Sequence, residues 1–198
     1  MISFPQSFRK RGYLLATGQV TSYGSGTGVD DGALQKGIAK AYTILTTGQY
    51  SGTTSITINS KTDVHSNNCV FDNNTGLMWS RYAAASVGPA SDGLLPWTTT
   101  GAGATAEGIF PYCAAANAAA LGGYSDWRMP NKDEIVSICS ASVNSPDSTA
   151  FPGMTTSDPW SSTTLWYDTT LGYYISFGAG RAVTAVKTAT HYLFLVRG

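Results

Sequence analysis

The segment Leu165-Trp-Tyr-Asp-Thr-Thr-Leu-Gly-Tyr-Tyr174 gathers four aromatic rings in one short stretch. In a strand, successive side chains face opposite ways. Trp166, Tyr167, Tyr173 and Tyr174 therefore cannot all enter one core. Exposed rings beside hydroxyl groups offer flat apolar faces that stack on sugars or on protein. Arg181 and Lys187 follow downstream and can meet acidic groups. These six residues are the candidate ligand-binding set, with packing in a core or an interface as the alternative for the same rings.

Other chemistry finds little footing. There is no G-x-S-x-G, no recognised grouping of Ser, His and Asp, and no phosphate-cradling glycine loop before a helix. A non-enzymatic protein is expected. His65 and His191 are isolated and no C-x-x-C occurs, so neither metal nor cofactor is expected. Asp30-Asp31 reads as a solvated turn. Cys69, Cys113 and Cys139 cannot all pair with one another. One disulfide with a free thiol is possible, but three buried thiols are preferred, and Cys113 and Cys139 are placed to face each other if their two segments pack together.

Composition narrows the classes. The chain has 198 residues, 12 basic and 12 acidic, and only 12% charged residues. A soluble domain averages about 25%. Serine and threonine take the place of charge, with 21 and 25 copies beside 22 glycines. No basic stripe of the kind nucleic-acid binders carry is present, and no apolar run reaches the ~18–20 residues of a membrane span. Met1–Gly12 carries charge without the apolar stretch of a secretion signal. A surface with so little charge suits burial against neighbouring subunits.

These residues must be positioned by a domain of about 130–150 residues with an appendage. Residues 1–50 read as an extended anchoring arm, with a turn-rich loop at 22–32 and a short helix through 33–40 capped by Asp31. The remainder, 51–198, reads as one domain. Thr54-Ser-Ile-Thr-Ile58 alternates as a strand does. Cys69–Asp72 and Leu77–Trp79 flank Asn73-Asn-Thr-Gly76 as a hairpin. Residues 83–108 read as a long surface loop. Pro111–Leu121 is alanine-rich and helical, with Gly122-Gly123 as its stop. A second helix spans 132–141, capped by Asn131 with Glu134 in capping-box position, and shows Ile135, Ile138 and Cys139 on one face. The small alanines invite this helix to pack on the first. Strands follow at 160–164, 173–177, 182–187 and 191–196. The order predicts an α+β fold with antiparallel pairing.

Asp72-Asn-Asn-Thr-Gly-Leu-Met-Trp79, Gly122-Gly-Tyr-Ser-Asp-Trp-Arg-Met-Pro-Asn131 with Glu134-Ile135, Trp160-Ser-Ser-Thr163 and Val196-Arg-Gly198 occur in that order. Together they resemble the signatures of the C-terminal domain family of the Legionella collagen-like adhesin. The resemblance covers 60–198 well and 15–40 loosely. It implies a C-type-lectin-like domain, surface adhesion, binding of glycans or glycosaminoglycans, and a trimer. Similar domains occur in bacterial surface proteins and in phage virions. The calcium-lectin motifs are missing here, which argues against a calcium site. Trp79, Trp127, Trp160 and Arg128 sit in the signatures and are expected to be structural, with Arg128 bracing main-chain carbonyls or a carboxylate such as Asp126 or Glu134. The expected setting is a phage virion, with residues 1–50 contacting other subunits and the domain facing outward toward a glycan or receptor. A secreted bacterial adhesin is the alternative.

Overall fold

The computed structural model describes residues 14–23, 30–35, 37–97, 107–141, 143–154 and 157–198. The α+β prediction holds, with every pair of named strands antiparallel. A sheet ordered β1 (Tyr42–Leu45), β4 (Cys69–Asp72), β5 (Met78–Ser80), β11 (Val196–Arg197) forms the centre. A ribbon of β2 (Thr53–Ile58) and β3 (Lys61–Ser66) and a meander of β7 (Trp160–Thr164), β8 (Leu171–Ser176) and β9 (Arg181–Val186) flank it. Short strands β6 (Leu95–Pro96) and β10 (Thr190–His191) pair with each other.

The hairpin at 69–79 forms as read. Asp72 is buried, and its carboxylate accepts the main-chain N–H of Asn74 (2.9 Å) and the hydroxyl of Thr75 (2.8 Å), which closes the turn. The first predicted helix becomes α2 (Ile109–Ala118) and the second α3 (Lys132–Ile138), with the Asn131–Glu134 capping box in place. The two do not pack as expected. Ile109, Tyr112 and Ala116 of α2 enter a core with Ile56, Ile58 and Trp160. Ile135 and Ile138 of α3 enter a second core with Trp79, Phe151 and Ile175. Cys113 and Cys139 therefore belong to different cores. All three thiols are free and each donates to a carbonyl: Cys69 to Asn67, Cys113 to Trp127 and Cys139 to Ile135.

Other expectations are corrected by packing. The strand read at 191–196 is split into β10 and β11. Leu193, Phe194, Leu195 and Val196 are all buried, which no single sheet face can achieve. Leu193 and Leu195 enter the α2 core, while Phe194 and Val196 enter the α3 core. The segment is a partition between the two cores. Its main chain is bonded to Ser80 (Ser80 N–H to Leu195 O, 2.8 Å; Leu195 N–H to Ser80 Oγ, 2.9 Å) and to Trp160, whose N–H donates to Tyr192 O at 2.9 Å.

The loop expected on the surface at 83–108 is buried in part at its start. Ala84, Val87, Leu95 and Trp97 are buried. Gly88 and Gly93 permit this, because a Cβ on either would stand 2.0 Å from a carbonyl oxygen, at φ +91° and +81°. Residues 98–106 of that segment lie outside the described residues.

In the N-terminal part, α1 (Asp31–Leu34) is shorter than read and its cap is Asp30, whose Oδ1 accepts from Ala33 N–H (3.0 Å). Gln35 in the left-handed region ends it. Leu15 bridges Ile38, and Ala141 N–H donates to Thr17 O at 2.7 Å. Tyr42–Leu45, at the end of the segment read as an arm, is a strand of the central sheet. Residues 1–13 and 24–29 of that segment lie outside the described residues.

Two predictions follow from this packing. Gly172 on β8 lies under two indoles, and a Cβ there would meet Trp160 and Trp97 atoms at 3.3 Å. Gly172→Val lowers stability by about 1–3 kcal/mol through overpacking, read as a shift in the urea midpoint. Burial also lowers the affinity of His65 and His191 for protons below the ordinary 6.5. The unfolded chain takes up those protons first, so stability falls as pH drops below 6.5. At the other end, burial pushes the Cys113 thiol up to about 11, and those of Cys69 and Cys139 to about 12. The unfolded thiols ionise first, so stability also falls above pH 9. Thermal unfolding across pH gives a plateau bounded on both sides.

Candidate functional site

The family-like signatures at 72–79 and 122–131 meet the closing one at the last strand, and the one opening at Trp160 joins Tyr192 just before it. Val196 pairs with Trp79 and Arg197 with Met78 across β11 and β5. Arg128 bridges Val196 from the other side, with N–H···O distances of 2.8 and 2.9 Å. Its guanidinium grips Glu134 through two bonds of 2.8 and 2.7 Å, while Glu134 also accepts Asn131 N–H at 2.8 Å. One carboxylate thus caps α3 and anchors the arginine, and both neighbours hold its pKa below the usual carboxylate value. Asp126 pairs instead with Arg197 (2.6 and 2.9 Å), whose guanidinium lies 3.7 Å from the Tyr124 ring. Asn117 brackets the Trp127 main chain, donating to its carbonyl (2.8 Å) and accepting its N–H (2.7 Å). Trp79, Trp127 and Trp160 are all buried. These signature residues build a latch that closes the C-terminus onto the domain.

The candidate binding set is divided. Trp166 and Tyr167 stand on the turn joining β7 to β8, 86% and 69% exposed. Their rings meet edge to face at 5.1 Å and 82°. Asp168 beside them is held ionised by Thr170, which donates through its hydroxyl (2.6 Å) and its N–H (3.0 Å). Lys187 reaches the same end of the meander: its N–H donates to Thr170 O at 2.9 Å. Its ammonium donates to Thr164 Oγ1 (2.9 Å) and lies 3.6 Å from the centre of the Trp97 ring. Burial lowers the pKa of this ammonium.

The other three members go elsewhere. Tyr174 is opposite Trp160 on the neighbouring strand, stacks on His191 at 4.1 Å and meets Trp160 edge-on at 6.1 Å. It is core. Tyr173 is half-buried on the opposite face of β8, the face on which Ile175 enters the α3 core. Arg181 is exposed at the far end of the meander, opposite Ser176. The site that the geometry gathers is therefore Trp166, Tyr167 and Lys187, joined by Asp168, Thr164 and Trp97. Asp168 and Thr170 carry the Asp-x-Thr turn pattern that could have marked them. Trp97 could not be found this way, because it arrives from a remote segment.

A second concavity, a cleft of ≈ 680 Å³, opens between residues 16–20 and the loop at 143–148. Tyr42, Ile138, Pro146 and Asp147 line it, and Lys40 at its edge donates to Cys139 O. Desolvation raises the Tyr42 phenol and lowers the Lys40 ammonium. None of these residues stands in a motif. Irregular segments wall the cleft, so no periodic pattern announces it.

A family model described as the Lcl C-terminal domain matches residues 68–197. The match spans well over half of the chain, and the chain belongs to that family, the C-terminal domain family of the Legionella collagen-like adhesin. It is an adhesin-like domain. A search of curated proteins returns no match.

Core and tip aromatics separate by experiment. Tyr174→Ala lowers unfolding stability by about 3 kcal/mol, whereas Trp166→Ala changes it by less than about 0.5 kcal/mol. Urea denaturation of both variants checks the assignment.

Proposed function

We propose that this member of the Lcl C-terminal domain family is a non-enzymatic adhesion protein whose contact element is the turn at 165–170. The lectin-like signatures build the scaffold, and the turn projects Trp166 and Tyr167 toward a glycan. One observation carries this reading. Two large aromatic rings stand edge to face in solvent at a hairpin end, where they contribute nothing to either core. Exposed aromatic pairs of this kind bind by stacking on the apolar face of a sugar ring, while neighbouring hydroxyls satisfy its polar edge. Thr164, Thr169 and Thr170 supply such hydroxyls nearby.

Family membership supports an extracellular bacterial surface as the setting. A phage virion is the second setting, and a specific observation favours it. Charge is 12% of the chain, and Leu14, Val20, Tyr23 and Leu34 of the N-terminal part are exposed. Such side chains suit contacts with other subunits, in a trimer or a larger shell.

The adhesion reading is tested by binding to a glycan array or to intact cells. Trp166→Ala and Tyr167→Ala each reduce binding by about tenfold or more, the loss expected when a stacked ring worth 1.5 kcal/mol or so is removed. Their melting curves match the parent. Undiminished binding by both variants rejects the turn as the contact element. Light scattering of the full chain tests the subunit contacts that both settings need: a trimer or larger mass supports them, and a 20.8 kDa monomer at all concentrations counts against them.

A further inference from the structure

We infer that the cleft of ≈ 680 Å³ beside residues 16–20 is the docking groove for residues 1–13 of the same chain. The cleft shares no lining residue with the 165–170 turn, so the inference does not rest on the adhesion reading. The floor of the cleft belongs to the α3 core. Ile138 is a member of that core, and Tyr42 packs against it, meeting Phe151 edge to face at 5.2 Å. The core is thus open to solvent on this side. The Tyr42 hydroxyl forms no hydrogen bond with a described residue. A half-buried phenol of this kind gains from a partner. At the rim, Val20 and Val143 are 66% and 65% exposed.

The occupant follows from where the chain joins the cleft. Residues 14–17 form a strap along its side. Ala16 N–H donates to Ile38 O (2.8 Å) and Ile38 N–H to Leu14 O (3.1 Å), while Ala141 N–H holds Thr17 O from the other side. Gly37 permits this approach, because a Cβ there would stand 2.8 Å from the Ala16 nitrogen at φ +106°. The strap fixes the point at which residues 1–13, which lie outside the described residues, join the domain. A segment tethered at the mouth of a groove has an effective concentration in the millimolar range, so weak contacts suffice to seat it. Its composition fits. Ile2, Phe4 and Phe8 are partners for the apolar floor and rim, and Arg9, Lys10 and Arg11 for Asp31 and Asp147 of the walls. The volume fits too. It lies in the ~300–1,000 Å³ range of sites that enclose a compact ligand, which is room for a few side chains and not for a second folded copy.

The test places photoreactive p-benzoylphenylalanine at position 8 of the full chain, in place of Phe8, in an equal mixture of light and heavy-isotope molecules. Irradiation and peptide mapping give adducts on residues 16–20, 39–42 or 143–148, each within a molecule of one isotope. Trypsin supplies the second readout, because Arg9, Lys10 and Arg11 are three consecutive cleavage sites. Cleavage there is at least about tenfold slower than in a free peptide of residues 1–13. Phe8→Ser restores the rate of the peptide, and so does Ala39→Trp, which fills the cleft from an exposed position. Adducts scattered over the surface, or cleavage in the parent as fast as in the peptide, overturn the docking. Adducts that join light to heavy molecules overturn the assignment to the same chain and make the occupant the segment of a second copy.

Discussion

Four consecutive residues, Leu193 to Val196, are buried, and they fall alternately into two different cores. A strand has two faces, and here both are dry. Everything else is arranged to make that tolerable. The main chain of a segment so enclosed must have its polar groups bonded. Ser80 meets Leu195 on one side, Arg128 bridges Val196 on the other, and Trp160 closes onto Tyr192. The four signature motifs are the parts that supply these partners. The turn at Asp72–Gly76 sets β5, the Trp127–Glu134 segment places Arg128, and Trp160 opens β7.

The same partition explains where the exposed turn comes from. The meander β7–β8–β9 gives one face to each core, Tyr174 to one and Ile175 to the other. A sheet clasped on both sides holds its hairpin end firmly. Indole N–H groups reinforce it: Trp97 donates to Ser161 O (2.6 Å) and Trp160 to Leu95 O (2.9 Å), so two tryptophans tie β6 and β7 together reciprocally. The tip therefore has a stiff base, and the stacked ligand proposed above would lose less in ordering it.

Much of this was legible in the residues. The hairpin at 69–79, the capping box at Asn131 and Glu134, and β7 follow from local chemistry, and local chemistry determined them. The failures share another cause. The apolar run at 191–196 reads as one strand because sequence shows that the side chains are apolar, not which core each one meets. The glycine-rich run after Ala83 reads as surface, yet Gly88 and Gly93 serve close approach rather than freedom. The α2–α3 pairing failed because small alanines permit a close neighbour without naming it, and strand β2 took that place. At the site, alternation separated Tyr173 from Tyr174 correctly in kind, but the exposure of Trp166 and Tyr167 comes from a turn. Lys187 joined them through a strand register that no single segment encodes.

The distribution of indoles has an optical consequence. Trp79, Trp97, Trp127 and Trp160 are nearly or wholly shielded, while Trp166 is 86% exposed. Excitation of this chain yields a blue-shifted emission band from the interior and a red-shifted component from one water-facing ring. A small neutral quencher reaches that ring first. The chain carries its own fluorescent probe at the hairpin end, and the red-edge signal follows that one residue without any label.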